Sequence, residues 1–286
     1  IVAQSGSFAD IITKRSSDRG IYFSKAISCG NESDLTTLDF LEYMGEDENT
    51  KVILVYMEGI KDGRSFNRLL RKISKKKPVI VWKCGVSSAG ARAAVSHTGA
   101  IGGAAKIWNG VLKGSGMICV NSMEETLDVL YMFNNLPLPE SNRVAIVSGT
   151  GGPAVGAVDA CIEFGLEVPK LMPETREKIR KIIPPFGSST ENPVDISIAA
   201  LEMPQLFVEV FKLLDEDENI DMSLVIGLGG ETFRQKMIEA KNKTKKPLAV
   251  ACIHSTDTTL DEQKDYLSNG VPLYSDPRRA ANALAK

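Results

Sequence analysis

Short, almost uninterrupted apolar runs rich in β-branched residues alternate with helical stretches along this chain, and that rhythm restricts its fold more than any other feature. Val52-Ile53-Leu54-Val55-Tyr56 is followed by a helical pattern from about Ser65 to Ser74, and then by Pro78-Val79-Ile80-Val81-Trp82. Such alternation specifies a parallel sheet with crossover helices. Runs that are apolar throughout, rather than at every second residue, specify strands covered on both faces.

The cycle begins again near Asn142, after Asn134-Asn135-Leu136-Pro137-Leu138-Pro139, whose prolines and amides mark a linker. A shift of 145 positions aligns Ile1-Val2 with Ile146-Val147, Gly6 with Gly151, Ala9 with Ala154, Gly20-Ile21 with Gly165-Leu166 and Lys25 with Lys170. Further on the offset grows, and Glu48-Asn49 meets Glu218-Asn219 while Lys76-Lys77-Pro78 meets Lys245-Lys246-Pro247. Matches that keep their order indicate two homologous domains. The growing offset places an insertion in the second copy at about Met172 to Asp195, with a helix and the loop Pro184-Pro185-Phe186-Gly187.

Both copies open with a strand that runs into a turn of small residues and then a helix. The turns are Gln4-Ser5-Gly6-Ser7 and Ser148-Gly149-Thr150-Gly151-Gly152-Pro153. Free amides and the dipole at a helix N-terminus attract anions, glycine lets a phosphate approach the backbone, and Pro153 suits a first helical turn. Neither turn carries the Lys-Ser/Thr pair of a P-loop. Gly149-x-Gly151-x-x-Ala154, with Glu167 about 20 residues on, also fits a dinucleotide fingerprint, although its duplicate has Gln4 where the first glycine belongs.

Chemistry is expected at His97, one of two histidines in the chain, within Ala91-Arg92-Ala93-Ala94-Val95-Ser96-His97-Thr98-Gly99-Ala100-Ile101-Gly102-Gly103. Apart from Arg92 its neighbours are apolar, glycine or hydroxylic, which predicts a mobile loop from about Ala89 to Gly103 and an imidazole able to act as a nucleophile. Glu58 follows directly on the strand at 52–56, so it projects at the carboxyl edge of the sheet, where open α/β folds build their sites. A carboxylate there could orient an imidazole or could be a solvated turn acid. Asp195 is equally ambiguous and receives no role.

A net charge of −2 leaves no footprint for nucleic acid, and no apolar run has membrane-spanning length. Five cysteines, scattered and never in a C-x-x-C pair, argue against a disulfide framework and for a reducing compartment, with cytoplasm as the expected location. Two histidines and no clustered cysteines leave a structural zinc site without ligands. The chain opens in mid-strand at Ile1-Val2-Ala3, as expected of part of something longer.

Taken together, Gln4-Ser5-Gly6, Glu58-Gly59-Ile60-Lys61-Asp62-Gly63, Ala89-Gly90-Ala91-Arg92-Ala93-Ala94 with Ser96-His97-Thr98-Gly99, and Gly151-Gly152-Pro153 followed by Asp159-Ala160-Cys161 resemble the NDP-forming acyl-CoA synthetases, relatives of succinyl-CoA synthetase. The likeness covers nearly the whole chain. It implies an α/β fold of two flavodoxin-like, doubly wound parallel-sheet domains related by internal duplication. The first, residues 1–133, would carry the phosphohistidine loop; 134–141 would be the linker and 142–286 the second CoA-ligase domain.

The resemblance also implies a reaction in which acyl-CoA, phosphate and ADP give a free acid, CoA and ATP, or the reverse, with ADP or GDP left open. His97 would carry the phosphoryl group and Glu58 would stabilise it. Ser5, Gly6 and Ser7, with Thr150, Gly151 and Gly152, would cradle it between two helix N-termini that point into a common cleft. CoA and ADP/ATP with Mg would be substrates held by a CoA-binding domain and ATP-grasp domains absent from this chain, fused to it or in a separate subunit, within a homo- or hetero-oligomer. No metal site and no tightly bound cofactor is expected, and the chain alone is expected to be inactive. Two departures from the family pattern stand out: Val86-Ser87-Ser88 where an arginine and an acid are expected, and Gly149 where asparagine is common. The alternatives are a non-catalytic acyl-CoA-binding or regulatory homologue, which retention of His97 argues against, and a dinucleotide-binding oxidoreductase domain.

Overall fold

The computed structural model describes residues 1–98, 108, 114–198, 202–253 and 260–286, without the side chains of 95–98, 260 and 261. Two compact units divide it, Ile1–Leu130 and Tyr131–Lys286. The first contains β1 (Val2–Ala3), α1 (Gly6–Ser17), β2 (Ile27–Ser28), α2 (Thr37–Glu46), β3 (Ile53–Met57), α3 (Gly63–Ile73), β4 (Val79–Lys83), α4 (Ser88–Thr98) and β5 (Ile118–Val120). Helix α5 (Met123–Asn135) contains the division between the units. The second contains β6 (Val144–Ser148), α6 (Gly151–Glu163), α7 (Pro173–Arg180), β7 (Val194–Asp195), α8 (Gln205–Asp215), β8 (Met222–Gly227), α9 (Glu231–Lys243), β9 (Leu248–Cys252), α10 (Leu260–Ser268), β10 (Leu273–Tyr274) and α11 (Pro277–Leu284).

Each unit holds one five-stranded parallel sheet, ordered β2-β1-β3-β4-β5 in the first and β7-β6-β8-β9-β10 in the second. This is the flavodoxin-like order, with a topological switch point between the first and third strands. The duplication extends to register. Val2 pairs with Ile27 and Val55, and Val147, its match at the 145-residue shift, pairs with Val194 and Val225. The longer offset of the second half is accounted for by the connection between α6 and β7, which includes the extra helix α7.

Alternate strand residues feed two cores. In the second unit Val147, Val225 and Val250 pack with Phe207, Phe211 and Phe233 from α8 and α9, while Ile146, Leu224 and Ala249 pack with Ala154, Ala157 and Ala280 from α6 and α11. In the first, Val2, Val55 and Val81 meet Leu41, Phe66 and Leu70 from α2 and α3. On its other face Phe8 of α1 stacks on Tyr56 at 4.0 Å between ring centroids, with Trp82 edge-on to both. Helices therefore cover both faces of each sheet, which is why the strands read as continuous apolar runs.

The Lys-Lys-Pro repeat has a structural meaning. Lys77 Nζ donates to the carbonyls of Met44 (3.0 Å) and Asp47 (2.6 Å) at the C-terminus of α2. Lys246 Nζ donates to those of Leu214 (3.1 Å) and Asp217 (2.7 Å) at the C-terminus of α8. Each lysine satisfies carbonyls that a helix end leaves open and places its charge against the negative pole of the dipole.

Candidate functional site

The carboxyl ends of β1, β3 and β4 assemble one site in the first unit. Residue 4 follows β1, and Ser5 caps α1 by accepting from the Phe8 N–H at 3.3 Å. Gly6 and Ser7 form the exposed first turn, and the Ser5 and Ser7 hydroxyls lie 3.1 Å apart. That turn contains no acid, so nothing within it offsets the positive pole of the dipole.

Glu58 stands directly after β3, at the switch point beside β1, and is buried at 7% exposure, which is unlike a solvated turn acid. Gln4, 9% exposed, joins the two strand ends. Its Oε1 accepts from the N–H groups of Glu58 (2.7 Å) and Gly59 (3.1 Å), and its Nε2 donates to the Gly59 carbonyl (2.8 Å) and to Glu32 Oε1 (2.9 Å). The same carboxylate oxygen accepts from the Thr37 N–H at 2.9 Å and from the Thr37 hydroxyl.

From β4 comes Lys83, 6% exposed, whose ammonium donates to the carbonyls of Glu58 (2.8 Å) and Cys84 and lies 5.2 Å from the centroid of the Trp108 ring. Burial lowers the pKa of Lys83 from the ordinary lysine value, opposed by the negative charge of the Glu58 carboxylate nearby. Burial raises the Cys84 thiol, partly offset by its hydrogen bond with Tyr56, and burial likewise raises the Tyr56 phenol. Cys84 is thus held as a thiol rather than as a reactive thiolate.

The backbone then turns at Gly85, φ +70°, and enters α4. A Cβ on Gly85 would lie 3.2 Å from both the Gly90 carbonyl and Ala94 Cβ, so two glycines let the helix sit against the strand end. The N–H of Gly90 donates to Ser87 Oγ at 3.0 Å. The loop expected from about Ala89 to Gly103 is helical over its described part, where Ser88–Thr98 forms α4 and His97 belongs to its last turn. Ala89, Ala91, Ala93 and Ala94 supply helix propensity that outweighs Gly90. The His97 side chain, residues 99–107 and His254 lie outside the described residues.

In the second unit Thr150 is the N-cap of α6, its N–H donating to Ser148 Oγ at 3.1 Å, and Gly151 and Gly152 are the exposed start of the helix. Ser28 of β2 and Asp195 of β7 stand at matching places. A Cβ on Gly6 would lie 3.4 Å from Ser28 Oγ, and one on Gly151 would lie 3.1 Å from Asp195 Oδ2. The first helix start thus faces a hydroxyl and the second a carboxylate, whose other oxygen accepts from the Ser197 N–H at 2.9 Å.

Glu167 does not fit the dinucleotide reading. Its N–H donates to the Asn142 carbonyl and its carbonyl accepts from the Val144 N–H, which fixes it at the amino end of β6. A ribose-binding acid belongs at the carboxyl end. Gln4, Glu32 and Lys83 were not among the expected site residues. The available signals were a glutamine where a fingerprint would have glycine, and a lysine ending the apolar run Val79-Ile80-Val81-Trp82.

Among the described residues no three His, Cys, Asp or Glu side chains group as metal ligands, no helix is long and apolar enough to cross a membrane, and all five cysteines are free.

Residues 1–133 match the succinyl-CoA ligase like flavodoxin domain, and residues 144–274 match the ligase-CoA domain. The chain is 36% identical over 284 residues to acetate–CoA ligase [ADP-forming] I of Archaeoglobus fulgidus, covering 99% of this chain and 40% of that protein. It is 35% identical over 290 residues to the alpha subunit of acetate–CoA ligase [ADP-forming] II of Pyrococcus furiosus, covering 99% of this chain and 63% of the subunit. A dinucleotide-forming acetyl-coenzyme A synthetase 1 of Candidatus Korarchaeum cryptofilum, solved with phosphate and ADP, superposes with a TM-score of 0.89 at 29% identity, over 99% of this chain and 62% of that one. The chain thus spans between 40% and 63% of the lengths of these relatives. With both domain types present in order and the flavodoxin-like sheet repeated in each half, the chain consists of two flavodoxin-like CoA-ligase domains that match the superfamily of ADP-forming acyl-CoA synthetases and succinyl-CoA synthetases.

Proposed function

We propose that this chain is the phosphohistidine-carrying part of an acyl-CoA synthetase that interconverts acyl-CoA, phosphate and ADP with a free acid, CoA and ATP. Phosphate displaces CoA from the acyl group to give an acyl phosphate. An imidazole nitrogen of His97 then attacks phosphorus and releases the carboxylate, and ADP takes the phosphoryl group from His97 to give ATP. Such transfers depend on positioning and charge stabilisation, which helix N-termini and a fixed carboxylate can supply.

In this reading Glu58 orients the imidazole. Ser5, Gly6 and Ser7 of the first domain and Thr150, Gly151 and Gly152 of the second are the phosphate-binding residues. Residues 1–133 and 142–286 act as the two CoA-ligase domains, joined by 134–141. CoA and the Mg-nucleotide bind on CoA-binding and ATP-grasp domains, fused or in another subunit of a cytoplasmic oligomer, so the 286-residue chain alone gives no acyl-CoA-forming turnover. What supports the reading is the buried Glu58 at the switch point beside the N-terminus of α1, in a chain of which 99% aligns with part of an ADP-forming ligase.

The test is labelling with γ-phosphate-labelled ATP in the presence of the partner domains. One acid-labile phosphoryl group per chain is expected, lost in His97→Asn and reduced in amount or lifetime, rather than abolished, in Glu58→Gln. Undiminished label in His97→Asn would move the carrier elsewhere.

A further inference from the structure

The four main-chain polar groups of Glu58 and Gly59 all end on two buried side chains. Gln4 Oε1 takes both N–H groups, Gln4 Nε2 takes the Gly59 carbonyl, and Lys83 Nζ takes the Glu58 carbonyl. Just past a strand such groups ordinarily turn to water or to a tight turn of their own. Here they are gripped from β1 on one side and β4 on the other.

The grip has one orientation. Rotating the Gln4 amide by half a turn would set its NH2 against two N–H donors and its oxygen against the Gly59 carbonyl and the Glu32 carboxylate. Glu32 is itself held by the backbone and hydroxyl of Thr37, and its carbonyl accepts from Lys61 Nζ at 2.8 Å. Burying a carboxamide and an ammonium costs free energy that apolar side chains would not. Their presence on both sides of one carboxylate-bearing dipeptide calls for a function rather than for packing alone.

We propose that Gln4 and Lys83 are positioning residues for Glu58: together they fix the Glu58–Gly59 peptide so that the carboxylate meets the phosphorylated imidazole in a single orientation, with Glu32 fixing Gln4. The proposal rests on the role given to Glu58 above. It explains why the first turn departs from the glycine fingerprint at residue 4, and why an otherwise apolar central strand ends in a lysine.

The test is a double-mutant cycle in the complete enzyme, with its CoA-binding and ATP-grasp modules present. Lifetime of the phosphoryl-enzyme, kcat and KM are measured for Gln4→Ala, Lys83→Met and Glu58→Gln, and for each of the first two combined with the third. Each single variant is expected to shorten the lifetime and lower kcat by about 10-fold or more, with KM nearly unchanged, as when support is removed from a reacting group. In the Glu58→Gln background the same substitutions are expected to cost nothing further.

A merely structural role would lower thermal stability while leaving the cycle additive, so losses that multiply with that of Glu58→Gln overturn the proposal, as does normal turnover by a folded Gln4→Ala. Should Gln4→Ala not fold, Lys83→Met and the near-isosteric Glu32→Gln carry the same cycle from the other ends of the network. A silent Glu58→Gln would remove the function assigned to Glu58 itself, and the positioning of it as well. A reduced lifetime in Glu58→Gln beside a folded, normal Lys83→Met would remove the positioning alone.

Discussion

Asp47 joins two distant lysines of the first unit to a threonine three residues on. Its carboxylate accepts from Lys25 Nζ at 2.7 Å and from the Thr50 hydroxyl at 2.5 Å, while its carbonyl takes Lys77 Nζ. The hydrogen bond from Lys25, then that from Thr50, hold the carboxyl well below its ordinary range, at about 2. A group that binds its proton less readily folded than unfolded stabilises the fold above its unfolded value, near 3.9 for aspartate, and the contribution fades as pH falls through the folded value. Stability of the parent chain should therefore drop between about pH 4 and pH 2 more steeply than that of Asp47→Asn, which starts lower at neutral pH. Denaturant midpoints measured across that window check this, and parallel curves would take Asp47 out of the acid response.

At the scale of elements, the matched helix ends of α2 and α8 make a paired prediction. Lys77→Met and Lys246→Met each remove a charged donor from two carbonyls and keep the aliphatic stem. Each should cost roughly 1–2 kcal/mol, at the lower end for hydrogen bonds to a charged group because both side chains keep contact with water. The two losses should be alike and additive, since the helices belong to different units; strongly unequal losses would mean the repeated caps have diverged in use. The α3 helix shows how far local patterns carry. Its expected span, about Ser65 to Ser74, became Gly63–Ile73, because Asp62 accepts from the N–H groups of Arg64 and Ser65 and starts the helix earlier. The strand expected at 52–56 became Ile53–Met57, placing Glu58 immediately at its end. The segment before His97 was misread because glycine and serine within it suggested a loop, whereas its four alanines favour a helix. The link from Gln4 to Glu32 and Glu58 was illegible for a different reason. Its partners lie 28 and 54 residues away, and nothing local to Gln4 announces them.

At the scale of the molecule, each unit has its own sheet and its own apolar clusters, so each holds what it needs to fold. The second unit begins within α5, where the Tyr131 hydroxyl donates to the Val271 carbonyl at 3.0 Å. A polypeptide of residues 123–286, with that helix included, should unfold cooperatively and protect the amides of Ile146, Val225 and Val250 from hydrogen exchange. Loss of that protection would show that the second sheet depends on the first. The lysines at the two helix ends have a further consequence, for the reactivity of their amines. An amine engaged by two carbonyls is a poor nucleophile towards an acylating agent until its helix end comes free, and the Lys77 and Lys246 amines are engaged in the same way, one in each unit. Reaction of these two amines with an acylating reagent should therefore report how often each lysine leaves its helix end, two clocks of the same make running in one polypeptide.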